Sequence, residues 1–156
     1  MKPVLLLGIG NTLRQDDGAG AAVAMRFQDH ASIESLPIVQ LLPEHIEKFH
    51  GRRLILFVDS AVHCDQVSFQ SLVAAGQQTR IVSGHVQHPR DLVCLYHWLY
   101  REWPLCSLVS LPAVDFGFGE QLSHVCRQGL EEAVRLIESH VSQMMSGLGL
   151  PEVGIV

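Results

Sequence analysis

Charged residues are scarce in this chain, long apolar runs are missing, and there are few cysteines; each shortage removes a class of protein. Only 17% of the 156 residues are charged, against 47% hydrophobic. That balance suits a packed core and excludes a disordered chain. The formal net charge of −5 excludes a general attraction to nucleic acid or to an anionic membrane surface. No apolar run approaches the roughly 20 residues of a membrane helix, and the N-terminus lacks the pattern of a secretory signal. A cytoplasmic protein with no membrane and no nucleic-acid partner is therefore expected. The four cysteines, Cys64, Cys94, Cys106 and Cys126, form no CxxC pair, and a reducing cytosol gives them no reason to join as disulfides. They read as packing residues. The nine histidines lie mostly in polar stretches and read as solvated, His63 and His88 among them. Also missing are GK[ST], HExxH and GxSxG, the signatures of a phosphate loop, a helical zinc protease and a nucleophile elbow.

What is present is an alternation of strand-like and helix-like segments. The length fits a single domain, placed at residues 1–145, with a flexible Gly- and Pro-containing tail at 146–156. Val4–Leu7 predicts a first strand and Gly18–Gln28 a helix. Ile38–Leu41 predicts a second strand, and Pro43-Glu44 opens a short helix running to Phe49. Leu54–Val58 (LILFV) is a continuous apolar run of the kind a central, doubly covered strand requires. Val67–Val73 predicts a fourth strand and Leu105–Val114 a fifth. Between them Pro89 opens a helix with an apolar stripe of Leu92, Leu95, Tyr96, Leu99 and Trp103. Leu122, Cys126, Leu130, Ala133, Ile137, Val141 and Met144 mark one face of a long C-terminal helix. The order implies an α/β fold of three layers, a mostly parallel twisted sheet with helices on both faces. Ligands of such sheets bind beyond the C-terminal strand ends.

Three acidic or imidazole side chains sit at such ends. The stretch GIGNTLRQDDGAG, Gly8 to Gly20, links strand to helix through glycines, as phosphate-binding turns do. Leu13 stands where the dinucleotide pattern GxGxxG needs its third glycine, and Asp16 and Asp17 would repel a phosphate. Asp16 and Asp17 can be simple helix caps or can receive a cation. Asp59 ends the LILFV run, followed by the small Ser60-Ala61, and serves either as a turn former or as a ligand. His85, in SGHVQHP, is either solvated or a third donor. Taken together, Asp17, Asp59 and His85 can converge on one sheet edge as an open three-ligand site for a divalent first-row metal. With no thiolate, their own hold on a metal is modest.

GNTLRQDDGAG, FVDSA and SGH, in this order, resemble the motifs of the hydrogenase maturation endopeptidases, and the resemblance runs from Val4 to about Val141. It implies a cytoplasmic, monomeric enzyme of aspartyl-protease type. Its partner would be the NiFe-hydrogenase large-subunit precursor, whose C-terminal extension is removed after nickel insertion. By motif, Asp17, Asp59 and His85 match the family's metal-contacting positions and would be the catalytic residues. Gly10, Asn11, Asp16 and Gly18 match the supporting turn. The nickel is carried by the substrate, so no tightly bound metal of the enzyme's own is implied. Many members carry a glycine-rich loop after the second strand. Here QLLPEH, Gln40 to His45, stands instead, and with FGFGEQLS it is similar to the branch serving bidirectional, NAD-reducing hydrogenases. Glu44 and His45 could line the cleft or simply form a helical first turn. Two alternatives remain open: a general hydrolase with its own zinc, and a nickel-binding chaperone that does not cut.

Overall fold

The computed structural model describes residues 1–72 and 86–147. Five strands form one sheet in the order β2-β1-β3-β5-β4. β1 (Val4–Ile9), β2 (Ile33–Ile38), β3 (Leu54–Ala61) and β5 (Cys106–Pro112) run parallel, and β4 (Ser68–Ser71) pairs antiparallel with β5 at one edge. The helices are α1 (Ala19–Arg26), α2 (Pro89–Tyr100) and α3 (His124–Met145).

Strand pleating divides the core into two layers. Val4 and Leu6 of β1, with Leu54, Leu56 and Val58 of β3, face α1 and α3 through Val23, Phe27, Leu130 and Ile137. Leu5, Leu7, Ile55 and Phe57 face the other way, against Phe49, Leu92 and Tyr96. β1 and the LILFV part of β3 are buried on both faces, which is why they read as unbroken apolar runs. Each buried Leu, Ile or Phe contributes roughly 1.5–3 kcal/mol. The expected three-layer α/β architecture is the one the chain adopts.

Several local expectations are corrected. The second strand lies at Ile33–Ile38, not Ile38–Leu41. Pro37 argues against a strand there, but β2 is an edge strand, where a missing N–H costs little. The helix opening at Pro89 has Leu92 and Tyr96 buried, yet Leu99 and Trp103 are exposed. Arg101 takes a left-handed conformation and ends the helix after Tyr100, so Trp103 leaves the stripe and stacks on His97 with ring centroids 3.9 Å apart. Leu122 precedes the C-terminal helix, whose N-cap is Ser123. Residues 43–49 form a 3-10 helix. Cys94, Cys106 and Cys126 are buried and Cys64 is partly exposed. Histidines do more than sit in water: His30, His45 and His88 accept backbone N–H groups through Nδ1, and His140 is buried. Among the described residues, no helix is long and apolar enough to cross a membrane.

The topology fixes where a ligand can enter. From β1 the chain crosses to β2 on one side and then to β3 on the other, and from β3 it continues away from β1, so the connections leaving β1 and β3 part at their C-terminal ends. That crevice is the switch point at which open α/β sheets bind ligands.

Candidate active site

The turn leaving β1 folds tightly onto itself. Gly10 has φ +141°, and a Cβ there would run into the carbonyl oxygen of Asp17. A Cβ on Gly18 would lie 2.6 Å from Thr12 Cα, closer than two carbons can approach. Asn11 donates its backbone N–H to Asp17 Oδ2 at 3.1 Å, and its own Oδ1 accepts from Leu13 N at 3.0 Å, the side-chain turn Asn favours. An N–H that a phosphate loop would offer outward is thus given to a carboxylate of the turn itself. The glycines serve close packing.

The adjacent aspartates have opposite roles. Asp16 is wholly buried. Its oxygens accept from Val114 N at 2.9 Å, Asp115 N at 3.0 Å, Ser123 N at 2.7 Å and Ser123 Oγ at 2.7 Å. Burial pushes its pKa up, and the donors more than offset this, leaving it below the usual carboxylate value. Around it the two loops are joined further: Gln15 N donates to Gly119 O at 2.7 Å, Gly119 N to Leu13 O at 2.9 Å, and Gly117 N to Gln15 Oε1 at 3.0 Å. Asp16 clamps the turn, and Asp17 is left half-buried at its edge.

Asp17 and Asp59 share a cleft of about 440 Å³, whose walls also include Ser60, Val62, His63 and Phe116. Asp59 stands at the end of the buried run of β3, with Oδ1 accepting from Ser60 N at 2.8 Å. Burial raises its pKa to about 6; the Ser60 N–H lowers it by a lesser amount, and the negative charge of Asp17 adds the smallest rise. Neither Lys nor Arg is among the described cleft walls. Two carboxylates thus face one solvent-filled space with one oxygen each unused by the described residues, a donor set suited to a divalent cation. Among the described residues, no three His, Cys, Asp or Glu side chains form a group that could hold a metal. His85, the third expected donor, lies outside the described residues.

Glu44 and His45 sit in the first turn of the 43–49 segment, where His45 Nδ1 accepts from Leu42 N at 3.0 Å; neither is among the described cleft walls. The sequence reading missed His63, which lines the cleft four residues after Asp59. Its signal was its place in DSAVH, just after the end of β3 and close behind Asp59. A larger hollow of about 680 Å³ lies over α3 between Arg127, Glu131 and Arg135. It is a charged helix surface with no convergent donors.

No protein-family model matches the chain, and no curated protein sequence does. Solved structures do. The NiFe hydrogenase maturation protease HycI from Thermococcus kodakarensis is 21% identical, with a TM-score of 0.66 over 88% of this chain and 91% of that one. The hydrogenase maturating endopeptidase HybD from Escherichia coli is 15% identical, with a TM-score of 0.70 over 94% of each chain. HybD from Thermococcus kodakarensis, a NiFe hydrogenase maturation protease, is 18% identical at a TM-score of 0.66, covering 89% of this chain and 98% of that one. At such identities the likeness is one of fold.

Proposed function

We propose that this chain is an endopeptidase that removes the C-terminal extension of a NiFe-hydrogenase large-subunit precursor after nickel insertion. The observation that carries the proposal is the pair Asp17 and Asp59, two carboxylates at the β1 and β3 ends in one cleft with no described cationic wall. The fold shared with solved maturation proteases and the GNTLRQDDGAG, FVDSA and SGH motifs support the same reading. The motifs add His85 as the third contact.

In this reading the nickel belongs to the substrate. Docking against Asp17 and Asp59 relieves their mutual repulsion and fixes the adjoining peptide in one position, so positioning supplies much of the rate. A carboxylate takes a proton from water as the water oxygen bonds to the scissile carbonyl carbon. The C–N bond then breaks and the amide nitrogen leaves protonated. Cleavage is thereby conditional on metal loading. The assignment to the branch serving bidirectional, NAD-reducing hydrogenases rests on QLLPEH and FGFGEQLS alone.

The test is incubation with a purified, nickel-loaded precursor, read by intact mass. Shortening by a C-terminal segment with nickel-loaded precursor, and none with the nickel-free form, is the expected result. A precursor of unchanged length would point to a chaperone. Stoichiometric zinc surviving chelator dialysis would point to a general zinc hydrolase.

A further inference from the structure

The rim of the cleft has a different chemistry from its floor. Phe118 is 96% exposed, and Leu13, Val62 and Val114 are 58%, 62% and 61% exposed. Single exposed apolar residues are ordinary, but these are grouped by the backbone that carries them. Val62 lines the cleft together with Phe116. Leu13 and Phe118 sit on two segments that pair through the Arg14–Gly119 bridge and the Gly119 N–H donated to Leu13 O. The N–H groups of Gly117 and Gly119, on either side of Phe118, are both engaged. Val114 N donates to the clamp residue Asp16. The backbone carrying Phe118 is thus held on both flanks before anything binds, and such pre-organisation lowers the entropy cost of association.

We infer that this rim is the docking surface for the protein whose peptide bond is cut in the cleft, with Phe118 as its anchor into apolar side chains beside the scissile segment. The inference rests on the proposed proteolysis. The rim is continuous with the cleft through Val62 and Phe116, so a second copy of this chain seated on it would cover Asp17 and Asp59. A substrate polypeptide instead reaches the rim and the carboxylates together. Apolar Val62 and Phe116 beside the acidic floor suit a segment with apolar residues next to a cation-bearing centre.

The experiment compares wild type, Phe118→Ser and Leu136→Ser, the last an exposed apolar residue of α3 away from the rim. Trimming of nickel-loaded precursor is followed as a function of its concentration, and association by biolayer interferometry. Phe118→Ser should raise KM and weaken association at least roughly tenfold, as loss of an aromatic anchor does. Its kcat should stay within about twofold, and Leu136→Ser should match wild type. Unchanged KM and affinity in Phe118→Ser overturn the inference, and so does a fall in kcat alone, which would make Phe118 a support of the cleft. If wild type binds precursor without trimming it, proteolysis falls while the Phe118 dependence of binding still decides the rim. Absence of any association by wild type overturns both. Self-association in sedimentation that Phe118→Ser abolishes would assign the rim to a second copy, against the inference.

Discussion

Asp16 and Asp17 are chemically identical neighbours, and their surroundings alone set them apart. Four donors hold Asp16, so Asp16→Asn would turn an amide N–H₂ toward groups that themselves donate. A loss of about 3 kcal/mol or more in urea unfolding is expected. Asp17→Asn keeps the acceptor for Asn11 N and should fold normally. It should slow trimming by more than the roughly 10–100-fold that an outer-shell partner of a metal site costs. Asp59→Asn separates function from stability more sharply. The folded pKa of Asp59, about 6, lies above its ordinary value of 3.8, so between those pH values the folded state holds more protons than the unfolded one. Its ionisation therefore destabilises the fold fully above pH 6, and the penalty disappears as pH falls toward 4. At about 1.4 kcal/mol per unit, Asp59→Asn should be more stable than wild type by up to about 3 kcal/mol at pH 8, with no advantage near pH 4, and should not trim precursor. Normal trimming by Asp59→Asn in the same assay would make this residue a turn former only. Residue types at the strand ends were legible because chemistry names them. The split between Asp16 and Asp17 was legible only from motif, since the donors that create it arrive from residues 114–123. His63, which reads as solvated from the sequence, instead lines the cleft wall. His88, also read as solvated, caps α2, and His88→Ala should leave trimming near the wild-type rate.

Among the secondary elements, α3 depends on one hydroxyl with two tasks. Ser123 Oγ accepts from Cys126 N at 3.2 Å, capping the helix, and donates to Asp16 Oδ2 at 2.7 Å. Ser123→Ala should therefore cost more than the ~1 kcal/mol of an ordinary cap, and Ser123→Thr should restore most of it, as read by thermal unfolding. On the same helix, His140 is buried against Phe69 of β4, ring centroids 4.7 Å apart, and its Nε2 has no hydrogen-bond partner among the described residues. Burial lowers its pKa, so the unfolded chain takes up the proton first and stability is lost as pH falls through the ordinary histidine value. His140→Leu should flatten the fall in unfolding midpoint between pH 7 and 5, and a profile that keeps its slope would remove His140 from the acid response. The unbroken apolar runs of β1 and β3 and the single stripe of α3 were legible from the sequence because both faces or one whole stripe are committed to the core. β2 was misplaced because edge position, which excuses Pro37, is a property of the sheet rather than of the segment. The end of α2 was missed because Arg101 is one of only two described non-glycine residues with positive φ, and nothing in its side chain announces that.

For the molecule as a whole, the switch point between β1 and β3 concentrates negative charge without a described lysine or arginine on the cleft walls. The isolated protein should purify with well under one metal per chain by elemental analysis. Added nickel should bind with modest affinity, and calorimetry in buffers of different ionisation enthalpy should register proton release near pH 6, where Asp59 is part-protonated. Binding without proton release would place the cation elsewhere. The α/β layering was legible because it depends on the order of apolar runs. Which residues meet across the crevice depends on chain crossings that no local pattern records. One such crossing has a temporal consequence. The clamp on the Asp16–Asp17 turn is closed by Val114, Asp115 and Ser123, partners 98, 99 and 107 positions further along the chain. A ribosome therefore emits the acidic turn long before it emits what shapes it. Translation products that stop short of Ser123 have the two carboxylates but not the vise that holds their turn.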